Sequence, residues 1–374
     1  MKQIVISGTG VFTPEESITN QELVKAYNSY AESYNLIYKD DINQGKKVQL
    51  ELSNEEFIFN ASGIKNRFVM DKKGILDPSI MHPILKKRSN DEPSILAEMA
   101  LKAAKAAMES AGKSANDIDA VITACSNLER AYPAISIEVQ ALLGIKGFAF
   151  DMNVACSSAT FAVQAASDMI RSGSAKTILI VDPEICSGHL DFKDRDCHFI
   201  FGDVCTAMIL ESKETAQSKN SFEILSTKCI TQFSNNIRNN FGFLNYAKRS
   251  SHLDRDLLFM QEGRKVFKEV VPMVSQLILD HLSQEKIKID DIKRLWLHQA
   301  NKSMNDLIGK KVLGREPEAH EQPNVLQDYA NTSSAGSIIA FSLYSEDMKK
   351  GEIGVLCSFG AGYSVGSVIL RKTG

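Results

Sequence analysis

The chain repeats itself. Residues 107–127, AMESAGKSANDIDAVITACSN, and 277–301, LILDHLSQEKIKIDDIKRLWLHQAN, both run from a helical stretch through a turn and an Asp-Ile pair into a short apolar strand. Asp117 falls on Asp291, an offset of 174 (291 − 117). Further on, NVACSSATFAVQAASDMI and YANTSSAGSIIAFSLYSEDM each read as a strand end entering a helix, and they set Cys156 opposite Asn331 at an offset of 175 (331 − 156). The endings GDVCTAMILES and GYSVGSVILRK match in their small and apolar positions, with Gly202 on Gly362. A period this long is not a solenoid unit. It is a duplicated domain, and its candidate reactive residues occupy corresponding places in the two copies.

The length of 374 residues suits two packed halves better than one hydrophobic core. Residues 1–215 and 216–374 are the expected units, divided in the charged connector ESKETAQSKNS (211–221). Hydrophobic residues at 44% and charged residues at 24% describe an ordinary soluble globular protein. A net charge of −3 lacks the overall basic footprint of a nucleic-acid binder. The seven cysteines are odd in number and scattered, without a CxxC pair, so reduced thiols are expected rather than disulfides or a metal site. The opening MKQIVISGTGVFTP is too short for a secretory leader, and no apolar run reaches the ~18 residues of a membrane span. The expected location is cytoplasmic, with no membrane contact.

Strand QIVISG (3–8) opens the chain, and polar inserts follow near 23–53 and 71–93. From Ser94 the pattern becomes regular: a helix to about Ala111, strand 119–124, a helix begun by Pro133, strand 147–153, then Cys156 and helix 157–172 ending at Gly173. Strands alternating with helices argue an α/β fold with a largely parallel sheet.

Cys156 is delivered by the strand-like FAFDMNVA to the first turn of a helix whose next residues, Ser157, Ser158 and Ala159, are small enough to leave a thiol reachable. Unpaired N–H groups and the helix dipole at that terminus favour a thiolate, so a lowered pKa and a nucleophilic sulfur are expected. His298 follows the strand KRLWL directly, at the sheet end where α/β folds place ligands. Asn331 heads the helix matching that of Cys156, where it suits either an N-cap or a partner in a cleft between the halves. The Gly-rich FGAGYSVG (359–366) suits either a tight turn between strands or a turn whose N–H completes an oxyanion hole with that of Cys156. No GxGxxG or Walker sequence is present.

These pieces, with ISGTGVFTP at the start, SGIKNRF at 62–68 and IFGDVCTAMIL at 200–210, resemble the thiolase-fold condensing enzymes over nearly the whole chain, and most closely the β-ketoacyl-acyl-carrier-protein synthase III type. The resemblance implies a thiolase-like duplicated five-layer αβαβα fold with two pseudo-twofold halves. It implies that Cys156 takes an acyl group from acyl-CoA, with the oxyanion held by the N–H groups of Cys156 and Ala361. His298 and Asn331 would then stabilise the enolate formed as malonyl-acyl carrier protein loses carbon dioxide, giving a 3-oxoacyl-carrier protein in fatty acid biosynthesis. No metal or redox cofactor is implied; the partners are acyl carrier protein and a second copy of the chain in a homodimer.

Departures from the family fall at the mouth. Phe57 and Ala61 stand in EEFIFNASGI, where relatives carry a Trp and an Arg that hold the adenine of coenzyme A, while Arg195 keeps another adenine-contacting position. Tyr132 aligns with the aromatic that crosses the dimer interface and sets the depth of the acyl pocket, so a medium-chain primer is compatible. Arg264, Lys265, Lys268 and Lys302 suit either carrier-protein docking or a solvated helix face. A secondary-metabolite ketosynthase of the same fold and a non-catalytic subunit of a heterodimer are the competing readings.

Overall fold

A computed structural model describes residues 2–247 and 254–374. Nine strands form one twisted sheet: β1 (Ile4–Phe12), β2 (Ala120–Ala124), β3 (Phe148–Met152), β4 (Thr177–Ile185), β5 (Asp203–Ser212), β6 (Phe222–Ser234), β7 (Ile292–Leu297), β8 (Ile353–Gly360) and β9 (Gly362–Lys372). Their spatial order is β7-β8-β9-β6-β1-β5-β4-β2-β3. The two halves meet in the middle, where β1 pairs with β6 through only two residue pairs, Val5 with Glu223 and Ile6 with Phe222. Each half thus keeps its own sheet, and a short seam joins them.

The sheet is more antiparallel than the alternation of strands and helices suggests. Three of its eight pairings are parallel. The outer strands of each half run parallel, but β8 turns straight back into β9 across Ala361, and β5 returns antiparallel between β1 and β4. A connection of one residue has no room for the helical crossover that a parallel neighbour requires.

Helices fill three further layers. On the outer face of the first half lie α3 (Ile95–Ala111) and α4 (Ile135–Leu143), packed on β2, β4 and β5 through Ala100, Ala104, Val121 and Leu179. The outer face of the second half carries α6 (Gly263–Gln284) and α7 (Lys302–Leu313), packed through Val270, Val274, Leu295 and Ile308. Between the halves run α5 (Ser158–Ser172) and α8 (Ala335–Leu343), in one core cluster that draws on the inner faces of both half-sheets. Helices covered on two sides need small or apolar residues nearly all round. Accordingly α8, AGSIIAFSL, is buried from Ala335 to Phe341, and α5 presents Ala159, Ala162, Val163, Ala166 and Ile170. The result is five layers, αβαβα.

The segment of the first insert forms α1 (Asn20–Ile37), whose N-terminus has a full capping box between Thr19 and Glu22. With α2 (Glu55–Ser62), begun by the Asn54 side chain, it packs on a fourth cluster that includes Tyr27, Ile58, Phe192, Phe199 and Phe201. This cluster forms a cap beside the loops that follow β4 and precede α8.

Gly10 shows how tightly the outer layer sits: a Cβ built there would lie 2.1 Å from the Ala103 carbonyl oxygen of α3. Gly10→Ala is expected to cost about 2–3 kcal/mol of stability through overpacking, read as a lower urea midpoint at unchanged slope.

Candidate active site

The backbone around Cys156 is held in an unusual shape by short polar contacts. Cys156 lies in a 3-10 turn, Ala155–Ser157, that runs directly into α5. Ala155 has φ +47, in the left-handed region that costs a residue with a Cβ on the order of 1 kcal/mol or more. Ser158 Oγ fixes the turn by accepting from Val154 N–H at 2.8 Å and donating to the Ala155 carbonyl at 2.7 Å. Ser157 Oγ donates to the Ser364 carbonyl of β9 at 3.0 Å, bolting the turn to the other half. Gly360 closes the gap, since a Cβ there would lie 2.5 Å from Cys156 Cβ and 2.8 Å from Sγ.

Cys156 itself remains partly accessible, while Cys125, Cys186, Cys197, Cys205 and Cys357 are buried. Its thiol is not the lowered one expected from the helix terminus. Burial around the sulfur pushes its pKa above the ordinary value, and the charge of Glu184 adds to the rise. The Ser333 hydroxyl and the N–H groups of Ala361 and of Cys156 itself act the other way. The N–H groups of Ala361 and Cys156 thus both favour the charged sulfur. The helix begins in a dry crevice, and there the desolvation of a thiolate outweighs the dipole.

His298 follows β7. Its N–H donates to the Cys357 carbonyl at 2.8 Å, and its own carbonyl accepts from Asn305 Nδ2 at 2.9 Å. The ring stands edge-on to Phe359, with centroids 5.2 Å apart, the Ser333 backbone faces it, and its Nδ1 has no hydrogen-bond partner among the described residues. Burial brings its pKa down to about 3, so the imidazole is neutral across the physiological range. A neutral ring has one N–H to donate and one nitrogen to accept.

Asn331 is fixed by its backbone, whose N–H donates to the Ile200 carbonyl at 2.9 Å and whose carbonyl accepts from Gly202 N–H at 3.0 Å. Ala330 before it has φ +58, the counterpart of Ala155 before Cys156. Asn331 Oδ1 accepts from Ser333 N–H at 2.9 Å. The acceptor end of the carboxamide is thus occupied, and Nδ2 is the end left to offer a substrate oxygen.

Ser333 therefore lies among all three: its N–H donates to the carboxamide, its backbone faces the imidazole, and its hydroxyl acts on the thiol without making a hydrogen bond of normal geometry. Its φ of +51 records the contortion this takes. Reading the sequence did not single out Ser333; the doubled serine in NTSSAGS was the available signal. Phe359, which orients the His298 ring, was also missed. A cavity of about 410 Å³ beside Lys302 and Asn305 is lined by neither Cys156 nor Asn331.

The structure brings Phe57 and Arg195 together in a direct stack. The Arg195 guanidinium lies 3.9 Å from the Phe57 ring centroid, with no gap between them for a base. Arg195 Nε donates to the Leu52 carbonyl at 2.9 Å, and Nη1 lies 3.6 Å from the Glu51 carboxylate. Ala61 offers a carbonyl to Asn301 Nδ2 at 2.6 Å and so ties α2 to the HQAN segment. Lys302 Nζ pairs with Asp306 at 2.5 Å, and Lys265 with Glu262 at 3.2 Å. Arg264, Lys265 and Lys268 are exposed on the first turns of α6. Tyr132 is 84% exposed. Among the described residues no cluster of His, Cys, Asp or Glu is fit to hold a metal, and no helix is long and apolar enough to cross a membrane.

The layered fold and the Cys, His and Asn brought to its crevice are those of thiolase-fold condensing enzymes. A crystal structure of 3-oxoacyl-[acyl-carrier-protein] synthase III from Aquifex aeolicus superposes with a TM-score of 0.76 at 25% identity, covering 98% of this chain and 99% of that one. The family profile 3-oxoacyl-[acyl-carrier-protein] synthase III matches residues 150–232, and that of its C-terminal part residues 282–372. A β-ketodecanoyl-[acyl-carrier-protein] synthase of Pseudomonas aeruginosa is 60% identical over 349 residues, 93% of this chain and all of that protein. A β-ketoacyl-[acyl-carrier-protein] synthase III of Mesorhizobium japonicum is 32% identical over 85% of this chain and 91% of its own length. The chain belongs to the β-ketoacyl-acyl-carrier-protein synthase III family, and it is an acyltransferase of the condensing type.

Gly360→Ala tests how closely the nucleophile is hemmed in. With the new Cβ inside contact distance of Cys156, alkylation of the thiol is expected to slow by roughly a hundredfold, measured as the iodoacetamide labelling rate of Cys156 against wild type.

Proposed function

We propose that the protein joins a medium-chain acyl primer, taken from acyl-CoA, to the two-carbon unit of malonyl-acyl carrier protein. The observation that carries the reading is the convergence of Cys156, His298 and Asn331 on Ser333. Cys156 Sγ attacks the primer carbonyl, and the N–H groups of Cys156 and Ala361 stabilise the oxyanion. The thiol proton leaves with the coenzyme A sulfur, so a thiol kept neutral at rest is compatible with the acylation. Malonyl-carrier protein then enters. As carbon dioxide departs, His298 and Asn331 Nδ2 donate to the thioester oxygen of the developing enolate, whose carbon attacks the acyl-Cys156 carbonyl. The products are 3-oxoacyl-carrier protein, carbon dioxide and the Cys156 thiolate, which takes up one proton from solvent to restore the resting thiol. No metal or redox group is called for.

The name of the Pseudomonas aeruginosa relative supports the primer length, because a β-ketodecanoyl product contains the two malonyl carbons and an eight-carbon primer. The direct stack of Arg195 on Phe57 would have to open to admit adenine, so the nucleotide contributes less binding here than in a preformed slot. Arg264, Lys265 and Lys268 support docking of an acidic carrier protein. They sit at the positive end of the α6 dipole, where cations cost stability rather than adding to it. The units 1–215 and 216–374 would work as one catalytic body in the cytoplasm.

A homodimer is part of the proposal. Strand β3 is hydrogen-bonded on one side only among the described residues, and Phe148 on it is 41% exposed. An open strand edge is a template for pairing. Beside it, the exposed Tyr132 would reach a partner's acyl pocket. Light scattering is expected to give twice the chain mass of 41.3 kDa; a monomer would remove the Tyr132 assignment.

Incubation with a ladder of acyl-CoA lengths, followed by intact-mass measurement, is expected to give one acyl group per chain, maximal at medium length and absent in Cys156→Ala. Asn331→Ala should still acylate while condensation falls about 10²- to 10³-fold. Normal condensation by Asn331→Ala would refute the assigned role.

A further inference from the structure

Two buried carboxyls have no part in the chemistry above. Asp182 and Glu184, two residues apart on β4, project to the same side of the sheet and are 1% and 0% exposed. No cation is among the main interactions acting on either. Uncompensated carboxylates in such a place cost several kcal/mol each, so they must be neutralised or richly hydrogen-bonded. Both occur here. Burial pushes Asp182 well above the usual carboxylate range, leaving a neutral acid, and pushes Glu184 up to about 7 against the pull of its donors.

Those donors come from two separate loops. Ser126 gives Glu184 its N–H at 3.0 Å and its hydroxyl at 2.5 Å. Ser334 adds a backbone N–H, and its hydroxyl lies between the two acids, 2.6 Å from Asp182 and 3.0 Å from Glu184. Ser126 begins the loop that carries Tyr132; Ser334 ends the loop that presents Asn331 and Ser333. The contact therefore crosses from the first half to the second, and the charge of Glu184 acts on the Cys156 thiol. The other titratable groups facing Glu184 and Asp182 are the thiols of Cys125, Cys186 and Cys205, all held neutral by burial. Replacing a buried polar cluster by hydrocarbon is often neutral or stabilising, so stability alone does not explain two acids here.

We propose that Glu184, with Asp182 gripping Ser334 from the other side, is a positioning residue that sets the Asn331–Ser334 loop of the second half against Cys156 of the first. The clamp acts through Ser334 and Ser126 rather than on substrate. Its kinetic consequence rests on the condensing reading above: the acyl-transfer step uses groups of the Cys156 turn and Ala361, whereas condensation needs Asn331 in register. Loss of the clamp then weakens the second step more than the first.

Three readings on Glu184→Gln and Ser334→Ala test this, two of them independent of activity. In free protein, hydrogen exchange across residues 331–336 is expected to rise about tenfold in both variants. Iodoacetamide labelling of Cys156, followed from pH 6 to 10, should run roughly threefold faster at pH 8 in Glu184→Gln, because a negative charge that disfavours the thiolate is gone. In turnover, condensation should fall about tenfold or more while single-turnover acylation changes less than about threefold. Unchanged exchange in Ser334→Ala, an unshifted labelling profile in Glu184→Gln, or equal losses in both steps would overturn the proposal. Should Glu184→Gln not fold, Ser334→Ala decides by exchange and by the split between steps. A wild-type protein that neither acylates nor condenses would instead sink the condensing reading, leaving exchange and labelling to judge the clamp.

Discussion

Everything in the site depends on two helices being sandwiched between two sheets. Because α5 and α8 are covered on both sides by the half-sheets, their positions are dictated by packing rather than by their own length or caps. Their residues are correspondingly small and apolar, and the close approach of Gly360 to Cys156 shows how little slack is left. Once both helices are seated, the turns that lead into them are pressed together at the seam. Strain at Ala155, Ala330 and Ser333 accumulates there, where the surrounding core over-determines the backbone.

Electrostatics at the seam favours neutrality. The crevice offers the sulfur N–H donors but buries it and the imidazole deeply, so the thiol stays high and the imidazole stays low. A preformed thiolate–imidazolium pair is the arrangement of an enzyme that must attack unaided. In the proposed reaction the developing charge is transient and would be met by the N–H groups of Cys156 and Ala361, which is where fixed dipoles contribute most.

Much of this was legible in the residues. The repeat predicted two halves, and its register placed Cys156 against Asn331, because helix starts and strand ends carry strong local signals. His298 could be found from its place at the end of KRLWL. The direction of the strands was less legible: a hairpin as tight as that at Ala361 reverses the chain without any helix to mark it. The thiol's pKa was misjudged because a helix terminus is a local feature, whereas desolvation depends on what packs over it from the other half. Ser333 was overlooked for the same reason, since the thiol and imidazole it faces lie on two other stretches of chain. The face-on stack of Arg195 on Phe57 depends on Glu51 and Leu52 in an insert whose fold no repeat constrains.

The duplication is incomplete at the rims of the sheet. The first half ends in β3, but among the described residues the second has no matching strand, and the outer side of β7 carries one backbone bond, from Leu295 N–H to the Glu321 carbonyl. In the proposed dimer, rim-to-rim pairing would use up the open edge of β3 on both chains at once.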